Sequence, residues 1–232
     1  SGAVTLNYSI SDGTGSTATS ATVNLTAVND APVQSAPVAL NSIGTIGTVN
    51  EDTGSVTITQ ANLLLNTTDA DLDALTVSNV TVPAAQGTIS GTGPWTFIPA
   101  ANFNGTATFT YTVSDTHTTT TNTATLAVTA VNDAPIVYSP VAYTMNEDSG
   151  TVTITEAQLL ARATDADGNS LSISGIPTAT NGTISGNAGG PWTFTPSTNY
   201  NGVANISFTV SDGTGGTSTQ NVAVAISSVN DA

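Results

Sequence analysis

Alternating apolar and polar residues run through three segments of the chain and predict long β-strands. In residues 106–113 every second residue is apolar and the residues between them are all threonines; the apolar ones are Ala107, Phe109, Tyr111 and Val113. The same alternation returns in residues 204–210 and in residues 4–10. A period of two places successive side chains on opposite faces of a sheet. Each segment is therefore predicted to be a strand with one buried face.

These strands belong to a larger repeat. Three kinds of landmark recur in the same order: VNDA at Val28, Val131 and Val229, NED at Asn50 and Asn146, and GPWTF at Gly93 and Gly190. Recurring landmarks indicate one structural unit that has been copied. We expect residues 31–133 and 134–232 to be two domains and residues 1–30 to be the last two strands of a truncated copy. Residues 41–48 have no counterpart in the second copy and are predicted to be a surface insertion.

The density of short strands and turns predicts the fold class. Asn-Gly and Asp-Gly pairs, as at Asn104 and Asp212, mark turns between strands. Thr155 and Gln158 form a capping box, which predicts one short helical turn after the second strand. About seven short strands per domain are typical of an immunoglobulin-like sandwich. The prediction is an all-β chain of tandem seven-stranded β-sandwiches in an end-to-end string.

The amino-acid composition excludes several classes of function. The 232 residues contain 16 acidic side chains and a single basic one, Arg162, so the net charge is −15. This balance excludes non-specific binding to nucleic acid, which needs Lys and Arg to neutralise phosphates. No apolar run is long enough for membrane insertion or for a signal peptide. Since the chain does not begin with Met, we expect a fragment of a longer protein.

The acidic residues gather in the recurring motifs, and strand direction predicts where those motifs lie. Loops that precede the third strand and follow the sixth fall at the N-terminal end of each domain. The loop after the first strand falls at the far end, beside the next VNDA. The junction near residue 133 is therefore expected to collect Glu51, Asp133, Asp165, Asp167 and Asp212, with Asn132 beside them and with Asp52, Asn169 and backbone carbonyls as further candidates.

Such a cluster calls for a cation. Two carboxylates 4 Å apart repel by about 4 kcal/mol at an effective dielectric constant of ~20. A flexible site with only oxygen ligands favours Ca²⁺, and a chain with no Cys and one His, His117, is poorly suited to zinc. Two alternatives remain open. The Asp loops would also be ordinary Asp-rich turns that satisfy their own backbone, and Glu51 and Glu147 would also suit strand ends.

Taken together, the motifs resemble the cadherin-like tandem repeats of bacterial RTX-type surface adhesins. VNDAP resembles the linker of cadherins, NED their early glutamate motif, Asp165-Ala-Asp167 their Asp-x-Asp, and Asp212 the aspartate that closes their penultimate strand. The resemblance implies a calcium-rigidified extender segment of a secreted or cell-surface adhesin. Its implied metal ligands are Glu51, Asn132, Asp133, Asp165, Asp167 and Asp212 near residue 133, Asn29, Asp30, Asp69, Asp71 and Asp115 near residue 30, and Glu147 and Asp231.

Departures from the cadherin pattern lower the expected ion count. Ala27, Ala130 and Ser228 stand where cadherin linkers begin with Asp. We therefore expect one or two calcium ions per junction, with dissociation constants of ~10⁻⁴–10⁻³ M as in extracellular modules.

The rival function is a carbohydrate- or surface-binding sandwich. It would use Trp95 and Trp192 as a stacking platform, but their matching positions beside Phe97 and Phe194 favour core packing. An enzyme is not expected, because a nucleophile–base pair needs more than His117. The expected partners are neighbouring repeats of the same chain, with homophilic or glycan contact as further candidates.

Overall fold

The computed structural model describes residues 2–52 and 54–230, and the chain divides into two units, Ser1–Ala130 and Val131–Ala232. Each unit contains one β-sandwich, and the first also contains an N-terminal hairpin. The predicted class, all-β with tandem sandwiches, is confirmed.

The N-terminal hairpin consists of β1 (Gly2–Ser11) and β2 (Ser16–Leu25), paired antiparallel with Val4 opposite Val23. Its alternating apolar side chains share one face and are each at least 46% exposed: Val4, Leu6, Tyr8 and Ile10. The two later hairpins of the chain bury the equivalent face.

In the first sandwich, ten strands form two main sheets and one small ladder. They are β3 (Val33–Gln34), β4 (Val38–Ala39), β5 (Val49–Asn50), β6 (Val56–Ile58), β7 (Thr67–Thr68), β8 (Thr76–Thr81), β9 (Gly87–Ser90), β10 (Trp95–Pro99), β11 (Gly105–Ser114) and β12 (Thr119–Thr129). One sheet has the order β4-β12-β11-β8 with β5 also on β12, the other has the order β6-β10-β9, and β3 pairs with β7. A 3-10 helix (Leu40–Ser42) and helix α1 (Gln60–Leu63) complete the copy.

The second sandwich repeats this arrangement. Its strands are β13 (Ile136–Val137), β14 (Tyr143–Asn146), β15 (Val152–Ile154), β16 (Ala163–Thr164), β17 (Ser172–Ile173), β18 (Thr178–Ala179), β19 (Gly182–Gly186), β20 (Trp192–Pro196), β21 (Gly202–Ser211) and β22 (Thr217–Ser227). The sheets have the orders β14-β22-β21-β17, with β18 on β21, and β15-β20-β19, while β13 pairs with β16. Helix α2 spans Glu156–Leu160.

The predicted inward residues form the cores. Ala107, Phe109 and Val113 are fully buried, and the rings of Phe97 and Phe109 meet edge to face with centroids 4.9 Å apart. This contact joins the two sheets of the first copy, since Phe97 lies on β10 and Phe109 on β11. Trp95 and Trp192 are 3% and 0% exposed. Their predicted core position is confirmed, and neither offers a ring face to a sugar.

Both short helices begin with a capping box, as Thr155 and Gln158 predicted for the second copy. In α2 the hydroxyl of Thr155 accepts from the Gln158 N–H, and the Gln158 side chain accepts from the Thr155 N–H. The first residue of each helix also reaches the neighbouring sheet. Glu156 Oε1 accepts from the Ile173 N–H at 2.7 Å, and Gln60 Oε1 accepts from the Val77 N–H at 3.1 Å. These bonds anchor the helices beside the loops that carry the acids.

The prediction that residues 41–48 are a surface insertion is only partly right. The segment leaves the sheet between β4 and β5, but Ile43 and Ile46 pack against the core. Asn41 also replaces a strand residue beside β12, in the gap between the residues that pair with β4 and those that pair with β5. Its Oδ1 accepts from the Ala127 N–H, and its Nδ2 donates to the Ala127 carbonyl at 3.0 Å. One side-chain amide therefore supplies the donor and acceptor that a backbone peptide would supply, and this tie is what closes the insertion onto β12.

Strand register separates two ends of each sandwich. In the first copy Gly105 lies opposite Val128 and Ser114 opposite Thr119. A ten-residue strand is about 30 Å long, so Asp115, after β11, and Glu51, after β5, lie at opposite ends of the copy. The predicted distribution of acids between two ends therefore follows from the register.

Candidate metal centre

The acidic loop of the first copy lies between β7 and β8 and is built around Asp69. Asp69 Oδ1 accepts from the backbone N–H groups of Asp71 and Asp73, at 2.9 and 3.2 Å. These two backbone bonds wrap the loop around the Asp69 carboxylate. Leu72 lies at its tip with φ 64° and is 89% exposed.

The other carboxylate oxygen of Asp69, Oδ2, accepts neither of these hydrogen bonds. Asp69 is 8% exposed, and its Oδ2 is buried without a hydrogen-bond donor among the described residues. Asp69, Asp71 and Asp73 each place a ligand oxygen within 4.8 Å of the others. At that separation two carboxylates repel by about 3 kcal/mol at an effective dielectric constant of ~20. A buried anionic oxygen in this setting is stabilised by a cation.

The linker of the first copy is bonded to this loop. The β3–β7 ladder, with Val33 opposite Thr68, brings the preceding linker residues beside the acids. The backbone N–H of Asp30 donates to Asp71 Oδ2 at 2.7 Å, and Asn29 Nδ2 donates to Asp115 Oδ2 at 2.9 Å. The structure thus brings together five residues predicted from the sequence: Asn29, Asp30, Asp69, Asp71 and Asp115.

Asp115 is held as a carboxylate. It is 1% exposed and accepts hydrogen bonds from the N–H groups of His117 and Thr118 and from the Thr118 hydroxyl. The backbone bond from Thr118 is the largest cause that lowers the pKa of Asp115 well below its usual value, against the opposite effect of burial. The group therefore remains ionised at neutral pH although it is buried.

The second copy reproduces the arrangement from its own residues. Asp165 Oδ1 accepts from the N–H groups of Asp167 and Asn169, both at 3.1 Å, and Asp165 Oδ2 is buried without a donor among the described residues. The N–H of Asp133 donates to Asp167 Oδ2 at 2.8 Å. The β13–β16 ladder, with Ile136 opposite Thr164, positions this linker as β3–β7 positions the first.

Asp212 takes the role of Asp115 in this copy. Asn132 Nδ2 donates to Asp212 Oδ2 at 2.7 Å, and this bond is the largest cause that lowers the pKa of Asp212 from 3.8 to about 2. Gly216 lets the linker come close. A Cβ added there would lie 2.3 Å from Asp212 Oδ2 and 2.9 Å from the Asp133 carbonyl oxygen. The predicted Asn132, Asp133, Asp165, Asp167 and Asp212 therefore meet in one place.

The two glutamates lie at the other end of their own copies. Glu147 is 9% exposed; its N–H donates to the Ser227 carbonyl, and its Oε1 accepts from the Val229 N–H at 2.8 Å. Glu51 is 4% exposed, its N–H donates to the Thr129 carbonyl, and Asn104 Nδ2 donates to its Oε2 at 3.3 Å. Each glutamate thus holds the end of the last strand of its copy. The predicted ligand Asp231 lies outside the described residues.

Sequence reasoning placed Asp73 in the acidic loop but left its role open, because Asn169 stands in its place in the second copy, and did not include it among the ligands. The structure places its carboxylate in the same group as those of Asp69 and Asp71. The signal was present, because Asp73 continues the every-second-residue spacing of the loop. The first copy therefore has one carboxylate more in its loop than the second, where Asn169 is the counterpart.

The donor set fits a hard divalent cation. Every ligand candidate in the two clusters offers oxygen, from carboxylates, linker amides or backbone, and such sets suit Ca²⁺ at 2.3–2.6 Å. In each copy one aspartate, Asp69 or Asp165, supplies two different oxygens. Its Oδ1 accepts the hydrogen bonds that build the loop, and its buried Oδ2 is the oxygen available to a cation. A cation would satisfy the buried oxygen while leaving the hydrogen bonds of the loop intact.

Comparison with known proteins gives a family and a fold. The sequence profile described as a cadherin-like domain matches residues 28–129 and 131–227. No curated protein matches the chain significantly. Across the described residues, no helix has the length and apolarity needed to traverse a lipid bilayer.

Solved structures of cadherins share the fold. Mouse cadherin-23 EC22-24 is 15% identical with a TM-score of 0.50, covering 98% of this chain and 74% of that chain. The extracellular cadherin domains 1–5 of protocadherin gamma B2 are 13% identical with a TM-score of 0.51, covering 99% and 46%. An endo-fucoidan hydrolase from glycoside hydrolase family 107 is 18% identical with a TM-score of 0.34. This chain covers 34% of that hydrolase's length.

Proposed function

Because the chain belongs to the cadherin-like domain family, whose members are extracellular adhesion modules that typically bind calcium, we propose that it is a calcium-rigidified extender segment. The parent protein would be a secreted or cell-surface bacterial adhesin of the RTX type, in which such segments project a distal ligand-binding region for adhesion and biofilm formation. The role is mechanical and not catalytic. The immediate partners of each repeat are its neighbours in the same chain.

One observation carries the proposal. In both copies a single aspartate, Asp69 or Asp165, uses one oxygen to build its loop and keeps the other buried without a donor among the described residues. A buried acceptor left without a partner costs about 1–3 kcal/mol, and more when it is charged. A feature so unfavourable in the metal-free chain, present twice at equivalent positions, supports a cation as its normal partner.

The proposed calcium ligands form one set in each copy. Asp69, Asp71 and Asp115 would hold the ion of the first copy with Asn29 and Asp30; Asp165, Asp167 and Asp212 would hold that of the second with Asn132 and Asp133. Glu51 and Glu147 hold the chain that leaves each copy; we propose Glu51 as a further ligand near residue 133, and Glu147 with Asp231 as ligands near residue 231. When bound, calcium supplies positive charge that cancels the repulsion among these carboxylates.

Hydrogen bonds between each linker and its acidic loop would couple calcium binding to the stiffness of the linker. The linker N–H groups of Asp30 and Asp133 already donate to Asp71 and Asp167. With the repulsion cancelled, those acceptors stay in place and each linker stops bending at its acidic loop. We propose residues 31–133 and 134–232 as the two extender units and residues 1–30 as the last two strands of a truncated copy. In such strings each joint acts only on its neighbours, so length and stiffness grow with copy number.

Small-angle X-ray scattering of the whole chain tests the function. We expect a larger maximum dimension in calcium than in EGTA, and no such difference for the double variant Asp69→Asn with Asp165→Asn. Asp12→Asn is the matched control, because it removes one carboxylate from the hairpin turn and none from the two clusters. An unchanged maximum dimension of the unsubstituted chain would contradict the proposed stiffening.

A further inference from the structure

The two acidic loops share a backbone and differ in one side chain. The N–H of Asp73 donates to Asp69 Oδ1 at 3.2 Å, and the N–H of Asn169 donates to Asp165 Oδ1 at 3.1 Å. The fifth residue of each loop is thus held in the same way. Its head group is a carboxylate in the first copy and an amide in the second.

In the second copy the amide ties the linker to the loop. Asn169 Nδ2 donates to Asn132 Oδ1 at 3.2 Å, within reach also of the Thr214 hydroxyl oxygen at 3.3 Å. The Thr214 hydroxyl donates to the same Asn132 oxygen. Asn132 Oδ1 is therefore satisfied twice by protein donors, and these bonds need no ion.

In the first copy the equivalent bond is chemically impossible. A carboxylate has no hydrogen to donate, and among the described residues no donor reaches Asn29 Oδ1 or the Asp73 carboxylate. Asp73 instead adds a third anionic oxygen within 4.8 Å of those of Asp69 and Asp71. Asp69, only 8% exposed, has its buried Oδ2 without a donor in the same group.

From this difference we infer that the two copies depend on calcium unequally, and the inference rests on the proposed function. The linker of the first copy is held to its loop by the bonds of Asp30 to Asp71 and of Asn29 to Asp115, without a donor to Asn29 Oδ1 among the described residues, so its seating depends more strongly on the cation. Its site binds the cation more tightly because it offers one more carboxylate and the Oδ1 of Asn29. The linker of the second copy has the additional bond from Asn169 to Asn132, so its seating depends less on the cation. Calcium therefore changes the first linker strongly and the second linker weakly.

Exchange of two backbone amide hydrogens with water, measured by NMR on the whole chain, tests the inference. The reporters are the N–H groups of Asp30 and Asp133, which seat the two linkers. In EGTA we expect Asp30 to exchange about ten-fold faster than Asp133, since local opening is governed by the bonds that hold each segment. Calcium chloride should slow Asp30 by about ten-fold or more and Asp133 by less.

Reciprocal substitutions supply the matched variants. Asp73→Asn should slow exchange at Asp30 in EGTA and weaken the tightest calcium site seen by calorimetry by about ten-fold. Asn169→Asp should speed exchange at Asp133 in EGTA and make it respond to calcium. Both are nearly isosteric, and Asp12→Asn controls for the change in net charge that Asp73→Asn makes.

The outcomes separate the two proposals. Equal exchange of Asp30 and Asp133 in EGTA, or no effect of Asn169→Asp, overturns the inference whatever calcium does. A difference in EGTA that persists while neither amide responds to calcium overturns the calcium role instead, and leaves the amide tie as a feature of the second copy alone.

Discussion

Replacing Asp69 by Asn should have opposite effects on the first copy with and without calcium. The variant keeps an Oδ1 that can accept from the Asp71 and Asp73 N–H groups, so the loop retains its hydrogen bonds. It removes the buried charge of Oδ2 and replaces that oxygen by an NH₂ group. The substitution therefore separates the structural task of Asp69 from its proposed task as a ligand.

The magnitudes follow from the spacing of the carboxylates. With ligand oxygens within 4.8 Å, each pair repels by about 3 kcal/mol at an effective dielectric constant of ~20. Because Asp71 is exposed and Asp73 half-buried, solvent weakens the repulsion between Asp69 and each of them. We therefore expect Asp69→Asn to raise the free energy of unfolding of the first copy by about 1–3 kcal/mol in EGTA. In calcium at 100 times its dissociation constant, the unsubstituted protein gains about 2.7 kcal/mol. The variant should gain almost none of it.

The two buried tryptophans make the first copy observable by itself. The chain has two Trp, one in each sandwich core. Trp192→Phe removes the one in the second copy, whose Nε1 is buried without an acceptor among the described residues, and leaves Trp95 as the reporter. In this background, urea unfolding followed by Trp95 fluorescence in EGTA and in calcium gives four free energies, two with Asp69 intact and two with Asp69→Asn. Asp12→Asn in the same background is the control.

Two results would contradict this prediction. If Asp69→Asn lowers stability equally in EGTA and in calcium, the carboxylate is only part of an Asp-rich turn. If the variant keeps the full calcium-dependent gain, the ion is bound by other residues. Both results are distinct from loss of the fold, which would abolish the Trp95 transition.

Two further substitutions and one titration test other features of the chain. Asn41→Ala should cost about 0.5–1.5 kcal/mol in urea unfolding, because the N–H and carbonyl of Ala127 lose their protein partner; an unchanged free energy of unfolding would contradict the backbone-like role. Gly216→Ala should weaken calcium binding in calorimetry, since its Cβ would lie 2.3 Å from Asp212 Oδ2, and unchanged binding would show that the linker can move away. The pKa of Asp12 is lowered from 3.8 to about 2 by backbone N–H groups of its own turn. The hairpin turn should therefore be stabilised above pH 3.8 and lose that contribution as the pH falls through 2; an NMR titration midpoint near the ordinary value of 3.8 would refute this.

Much of the fold could be read from the sequence because its signals are local. The alternation around Phe109 predicts a half-buried strand whatever the neighbours, and the hydroxyl and amide of Thr155 and Gln158 need only each other to start a helix. Residues 41–48 were harder. Whether the Asn41 side chain faces water or bonds in place of a strand depends on β12, which lies far away in sequence. The residues around Asn41 therefore do not indicate this contact.

For the candidate metal centre, the order of residues is enough to show which side chains carry charge, how they are spaced and at which end of each copy they lie, since strand direction follows from the order of strands. Which oxygen of Asp69 or Asp165 builds the loop and which remains buried is visible only in the folded chain. The same is true of the bond from Asn169 to Asn132, which Asp73 cannot make because it has nothing to donate. Hydrogen bonds depend on positions within a few tenths of an ångström, and those positions are set by the packing of strands from distant parts of the chain.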